Sequence, residues 1–171
     1  MLQRVIKFLR YRMMSCEEYA RYKGVKVGKG CLISTKNFPS ESYLVSIGDY
    51  CRIAKGVSFF THGGLWSQRK KYNDLEHFGK IYVGNYTYIG EDALIMPGVT
   101  IGNDVIIGAG SVVTKSIPDG KIAAGNPARI VGDTIEFVER TRSVSLPTFG
   151  MTYEQKKSYL LSLDDSAFIK K

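Results

Sequence analysis

The sequence predicts an all-β solenoid, a parallel coil of short strands with an excursion loop and short terminal helices, and three observations carry that prediction. Val83, Ile89, Ile95, Ile101, Ile107 and Val113 recur at every sixth residue without a slip. Gly follows four of these anchors, at Gly84, Gly90, Gly102 and Gly108, and small residues favour the fourth place after an anchor, as at Thr87, Ala93, Val99, Val105 and Ser111. A helix returns its apolar face every 3.6 residues and an ordinary strand every second residue, so a period of six asks for a short strand plus a turn in each repeat. Three such repeats close a triangular coil, and anchors eighteen apart stack in parallel register at about 4.8 Å. Gly after the anchor is read as the residue that accepts the φ values of a corner.

Taken in order, residues 1–24 form an N-terminal helical segment with Val5, Phe8 and Leu9 on its apolar face. The coil spans residues 25–132. Its phase is weak at Val27-Gly28 and Ile33-Ser34 and clear at Ile47-Gly48, Ile53-Ala54 and Phe59. Ile33 and Ile47 are fourteen apart instead of twelve, which predicts a bulge around Asn37, Pro39 and Ser40. Phe59 and Val83 are twenty-four apart, six plus one coil's eighteen, so about residues 63–80 leave the coil as an excursion. Loops of that length inside a compact repeat are usually functional or disordered. The pattern decays through Ile117-Pro118-Asp119-Gly120 into a last partial coil ending near Val131. Residues 133–171 form a C-terminal helical extension, with Thr152 and Gln155 as an N-terminal cap and Tyr159, Leu160 and Leu163 as an apolar face. These helices are expected to cap the coil stack.

With 171 residues and 44% hydrophobic content, the chain suits one domain with terminal decorations. The formal charge of +8 favours anionic partners, but the basic residues are dispersed and no nucleic-acid-binding signature accompanies them, so nucleic acid is excluded. Arg4, Lys7, Arg10 and Arg12 break the N-terminal apolar stretch, which argues against membrane insertion and a signal peptide and for a cytoplasmic protein. Cys16, Cys31 and Cys51 are odd in number and widely spaced, so neither a disulfide framework nor a zinc knuckle is expected.

The run Ile101-Gly102-Asn103-Asp104-Val105-Ile106-Ile107-Gly108-Ala109-Gly110-Ser111-Val112-Val113-Thr114-Lys115 and the later Ala124-Gly125-Asn126-Pro127-Ala128-Arg129 resemble the hexapeptide-repeat acyltransferase family, in its sugar and xenobiotic O-acetyltransferase branch. The likeness runs from about Val27 to Val131. It implies a left-handed parallel β-helix, a homotrimer with active sites between neighbouring helices, and acetyl-CoA as acyl donor to a small hydroxyl-bearing acceptor. A sugar hydroxyl is the preferred acceptor over an antibiotic, and acyl carrier protein is an alternative donor.

Acetyl transfer from a thioester to an alcohol needs a base for the hydroxyl proton, donors for an oxyanion and a groove for the long donor. His62, where the coil phase breaks, is the expected base, and the resemblance places the family's base there. His77, late in the excursion beside Glu76 and Phe78, is a candidate acceptor contact or simply a loop residue. The resemblance implies an Asn or carboxylate from an earlier coil to orient acceptor or base, with Asn37 the matching candidate. It also places the pantetheine arm along Ala109, Gly110 and Ser111 and the adenosine end beside Thr114 and Lys115. Lys115 and Arg129 are candidate phosphate ligands. Trp66, the only tryptophan, is a candidate acceptor platform or a trimer contact. No metal is expected, since a zinc site of the related anhydrase kind needs three His ligands and the chain has two. A scaffold or sugar-binding module without catalysis is the remaining alternative, and His62 argues against it.

Overall fold

Strands of two to six residues, none long enough to stand alone, are stacked into three sheets. The computed structural model describes residue 11 and residues 13–169, so Val5, Phe8 and Leu9 lie outside the described residues. The first sheet is β1 (Lys26–Val27), β3 (Val45–Ile47), β6 (Ile81–Val83) and β9 (Thr100–Ile101). The second is β2 (Leu32–Ile33), β4 (Arg52–Ile53), β7 (Tyr88–Ile89), β10 (Ile106–Ile107), β12 (Lys121–Gly125) and β13 (Ala128–Asp133). The third is β5 (Ser58–Phe59), β8 (Leu94–Ile95) and β11 (Val112–Val113). From β3 to β11 the chain visits the three sheets in turn, and every pairing is parallel except that of β12 with β13.

Register follows the anchors. Val83 pairs with Ile101, Ile89 with Ile107 and Ile95 with Val113, eighteen residues apart in each case. Ile47 pairs with Val83, Ile53 with Ile89 and Phe59 with Ile95, thirty-six apart, because one coil's length of chain leaves between β5 and β6. Val27 pairs with Ile47 and Ile33 with Ile53, twenty apart, so the first coil holds two extra residues. The anchors from Ile47 to Val113 are all buried and form three apolar columns, aliphatic except for Phe59, each Ile contributing about 1.5–3 kcal/mol of apolar burial.

The glycines after the anchors have a different cause from the one expected. Gly28, Gly48, Gly84 and Gly102 do not have positive φ; that conformation falls two residues later, at Gly30, Tyr50, Tyr86 and Asp104. What excludes a side chain is the next coil. A Cβ on Gly48 would lie 2.9 Å from Gly84 C, one on Gly84 2.5 Å from Gly102 C, and one on Gly102 2.6 Å from Asp119 N.

That close approach creates a hydrogen-bonded column along one corner. Asp49 Oδ1 accepts from Lys29 N at 2.9 Å, Asn85 Oδ1 from Asp49 N at 2.8 Å, Asn103 Oδ1 from Asn85 N at 2.8 Å and Asp119 Oδ1 from Asn103 N at 2.9 Å. Hydrogen bonds from the Asn103 side chain and backbone hold the Asp119 carboxyl below its usual range. Beside this column Cys31 Sγ, Cys51 Sγ and Thr87 Oγ1 donate to the carbonyls of Gly48, Gly84 and Gly102 at 3.0, 2.9 and 2.8 Å. Burial pushes the Cys51 thiol up to about 11, which makes it a packing residue and not a nucleophile.

The chain divides into two compact units, Met1–Thr134 and Ile135–Lys171. In the first, the helix Cys16–Tyr22 precedes β1 and starts in a capping box between Ser15 and Glu18. In the second, the helix Tyr153–Leu161 starts in a capping box between Thr152 and Gln155. The helix Thr134–Arg142 begins at the boundary. No helix among the described residues is long and apolar enough to cross a membrane.

Candidate active site

The strand β5 ends at Phe59, which stacks on Phe38 from the bulge with ring centroids 5.2 Å apart and planes 3° from parallel. Thr61 is fully buried, and His62 after it is exposed. The excursion is closed at its neck by Gly79 N donating to Thr61 O at 2.7 Å. Gly79 is required there by close approach, since a Cβ would lie 2.2 Å from Gly98 N. Two features therefore anchor His62 to the coil: the buried Thr61 before it and the neck hydrogen bond.

His62 Nδ1 lies 2.8 Å from Glu41 Oε2. The same carboxylate oxygen accepts from Thr61 Oγ1 at 3.0 Å. Glu41 caps the 3-10 turn Ser42–Leu44, within the stretch that gives the first coil its two extra residues. A hydrogen bond from the Ser40 side chain holds the Glu41 carboxyl below its usual range against the opposing effect of burial, with Thr61 and His62 adding to the effect. An ionised Glu41 fixes the proton on His62 Nδ1 and leaves Nε2 as the basic nitrogen.

Asn37, expected as the orienting residue, donates its Nδ2 to Gly56 O at 3.3 Å and Ser58 Oγ at 3.2 Å, and so braces the coil. It borders a shallow depression that His62 also lines. The residue missed in the sequence is Glu41. The two-residue surplus between Ile33 and Ile47 was its signal, but surplus length does not say which side chain of a bulge points to the histidine.

His62 opens onto a cleft of about 310 Å³ whose other walls include Glu41, Trp66, Arg69, Glu76, His77 and Phe78. Trp66 and His77 thus line the same cleft as His62. The Phe78 ring centroid is 5.4 Å from that of His62. Trp66 sits in the 3-10 turn Leu65–Gln68, which Gly64 precedes at φ +81, and is 77% exposed.

The residues expected to hold the donor lie elsewhere. Ala109 and Gly110 are exposed, with Gly110 at φ +66, and Thr114 and Lys115 are exposed after β11. Lys115 and Arg129 share one groove, formed where β11 ends beside the β12–β13 hairpin. The hairpin turns through Asn126–Pro127 and is tied by a Lys121–Asp133 ion pair. Ser111 differs from its neighbours, because it is fully buried and its hydroxyl donates to Gly108 O at 2.7 Å and accepts from Gly125 N at 3.1 Å. Its side chain holds the hairpin to the coil and has no hydroxyl to offer a ligand in this geometry. The His62 cleft and the Lys115–Arg129 groove share no lining residue.

A family model described as bacterial transferase hexapeptide (six repeats) matches residues 80–115. Protein CapG of Staphylococcus aureus is 43% identical over 150 residues, covering 85% of this chain and 87% of that protein. The galactoside O-acetyltransferase of Escherichia coli K12 is 41% identical over 91 residues, 53% of this chain and 45% of its own length, so the chain spans about half of that relative. Among solved structures, a galactoside acetyltransferase in complex with coenzyme A has a TM-score of 0.60 at 27% identity, covering 72% of this chain and 71% of that one. A hexapeptide-repeat acetyltransferase of Vibrio cholerae complexed with acetyl-coenzyme A has a TM-score of 0.56 at 26% identity, covering 66% and 61%.

Proposed function

Because the chain belongs to the hexapeptide-repeat acyltransferase family, we propose that it is an acetyl-CoA-dependent O-acetyltransferase acting on a hydroxyl of a sugar or a similar small acceptor. The observation that carries this reading is the His62–Glu41 pair at the mouth of the excursion. His62 Nε2 takes the acceptor's hydroxyl proton as its oxygen attacks the thioester carbonyl. The imidazolium, held in place by Glu41, then returns that proton to the departing thiolate as the tetrahedral intermediate collapses. The products are the acetyl ester and free coenzyme A.

A left-handed sense of the coil and a homotrimer belong to the same proposal. In such a trimer a neighbouring copy would bring a donor held by Lys115 and Arg129 to His62, two sites that share no lining residue within one chain. Ala109, Gly110 and Thr114 would flank that donor, and Asn37, Trp66 and His77 the acceptor. A cytoplasmic setting, the compartment that holds acetyl-CoA, completes the reading.

Thiol release from acetyl-CoA, measured with a panel of sugars and xenobiotic alcohols, tests it against a His62→Ala variant. Acceptor-dependent turnover that falls by roughly two or more decades in the variant supports the proposal. Turnover unaffected by the substitution would move the base to His77, and none with any acceptor would favour a scaffold.

A further inference from the structure

The excursion is built around one side chain that the proposed chemistry does not use. Arg69 places its guanidinium carbon 4.7 Å from the Trp66 ring centroid, and its Nη2 is 2.6 Å from Glu76 Oε1. Glu76 belongs to the returning limb of the excursion, so the pair ties the two limbs together across the cleft that His62 opens onto. The ion pair is solvent-exposed on both sides, with side chains 42% and 55% accessible, and such a pair adds little to stability. Its effect is geometric. An indole 77% exposed on a loop would sample several orientations, whereas one stacked on a clamped guanidinium keeps its ring plane.

We propose that Arg69 and Glu76 are positioning residues that set Trp66 as the wall against which a pyranose acceptor lies, a reading that rests on sugar acetylation at His62. One indole face is taken by the guanidinium, which leaves the other for a single ring. A sugar's axial C–H groups suit that face, and its hydroxyls suit His77, which lines the same cleft. An apolar, flat acceptor would cover that imidazole without a hydrogen bond to it. The cleft therefore selects a hydroxyl-rich ring.

Trp66 is the only tryptophan in the chain, so its emission reports this site directly. The experiment titrates methyl β-D-galactopyranoside and methyl α-D-glucopyranoside into the full-length protein without donor, with glycerol as the acyclic comparison, and repeats the titration with Arg69→Ala and Glu76→Gln. Initial rates with acetyl-CoA give kcat and both KM values for each variant, and for Trp66→Phe and Trp66→Ala. A saturable emission change with a glycoside, needing roughly three- to tenfold more ligand in Arg69→Ala and Glu76→Gln, is expected. Acceptor KM rises in parallel, while kcat and the acetyl-CoA KM stay in place, and Trp66→Phe retains most of the affinity that Trp66→Ala loses. Emission that ignores both glycosides, or responds equally in the variants, overturns the proposal, as does an equal rise of both KM values. Absence of turnover in the unmodified protein would sink the acetyl-transfer reading, whereas the titration, run without donor, still decides whether the platform binds a sugar ring.

Discussion

His62 Nδ1 and Glu41 Oε2 stand 2.8 Å apart, although twenty residues of chain, about one full coil, lie between them. The pair turns an exposed loop imidazole into one with a defined tautomer and ring orientation, which a base must have before its substrate arrives.

Glu41→Gln keeps the shape of the partner and removes its charge. We expect kcat to fall by roughly ten- to a hundredfold with little change in either KM, against at least two decades for His62→Ala. In the double variant the losses should fall short of additivity, because Glu41 acts only through His62. Steady-state rates for the four proteins decide this, and additive losses would separate Glu41 from the base.

The Glu41 carboxyl also links stability to pH. Its folded value lies below the ordinary 4.5, chiefly through the Ser40 hydrogen bond. A depressed carboxylate contributes stability that is present above its unfolded value and is lost as pH falls through the folded one. The Tm gap between the unmodified protein and Glu41→Gln should therefore be full at neutral pH and shrink below about pH 4.5. Calorimetry across pH 3 to 7 reads it, and a gap that widened below pH 4.5 would contradict the sign.

Gly84 and Gly132 separate close approach from ordinary glycine. A Cβ on Gly84 meets Gly102 C at 2.5 Å, whereas one on Gly132 meets nothing within 4 Å. Gly84→Ala should cost about 1–3 kcal/mol by forcing two coils apart, and Gly132→Ala should be close to neutral. Denaturant midpoints measure both, and equal midpoints would show that the coils yield more easily than their spacing implies.

Lys115, Arg129 and Ser111 divide the proposed donor side into ligand and framework. Lys115→Ala and Arg129→Ala should raise the acetyl-CoA KM, by more at low salt than at high, with stability little changed. Ser111→Ala should do the reverse: it leaves Gly108 O and Gly125 N without their shared hydroxyl, costing about 1–3 kcal/mol, and spares the KM. A Ser111→Ala variant of full stability and poor donor binding would return that hydroxyl to the cofactor.

The coil could be read from the sequence because its signal is local and repeated. Each anchor must enter a column of anchors eighteen residues away, so Ile89, Ile95, Ile101 and Ile107 declare both period and register, and the surplus lengths before Ile47 and Val83 declare where chain must leave it. The place of His62 at the mouth of the excursion was legible for the same reason, since the phase breaks there. What tertiary structure alone decided is which groups meet. Glu41 and Asn37 occupy one bulge and look equally suited to orient a base, but backbone geometry turned one carboxylate to His62 and spent the other side chain on Gly56 and Ser58. The glycines after the anchors announced a corner, yet it is the backbone of the neighbouring coil, invisible along the chain, that excludes their side chains. Ser111 likewise sits in the expected cofactor run but faces inward, because alternation at a coil corner gives its hydroxyl to the hairpin. A repeat sets distances along the chain; contacts between coils depend on side-chain direction, and that is decided only when the coils are stacked.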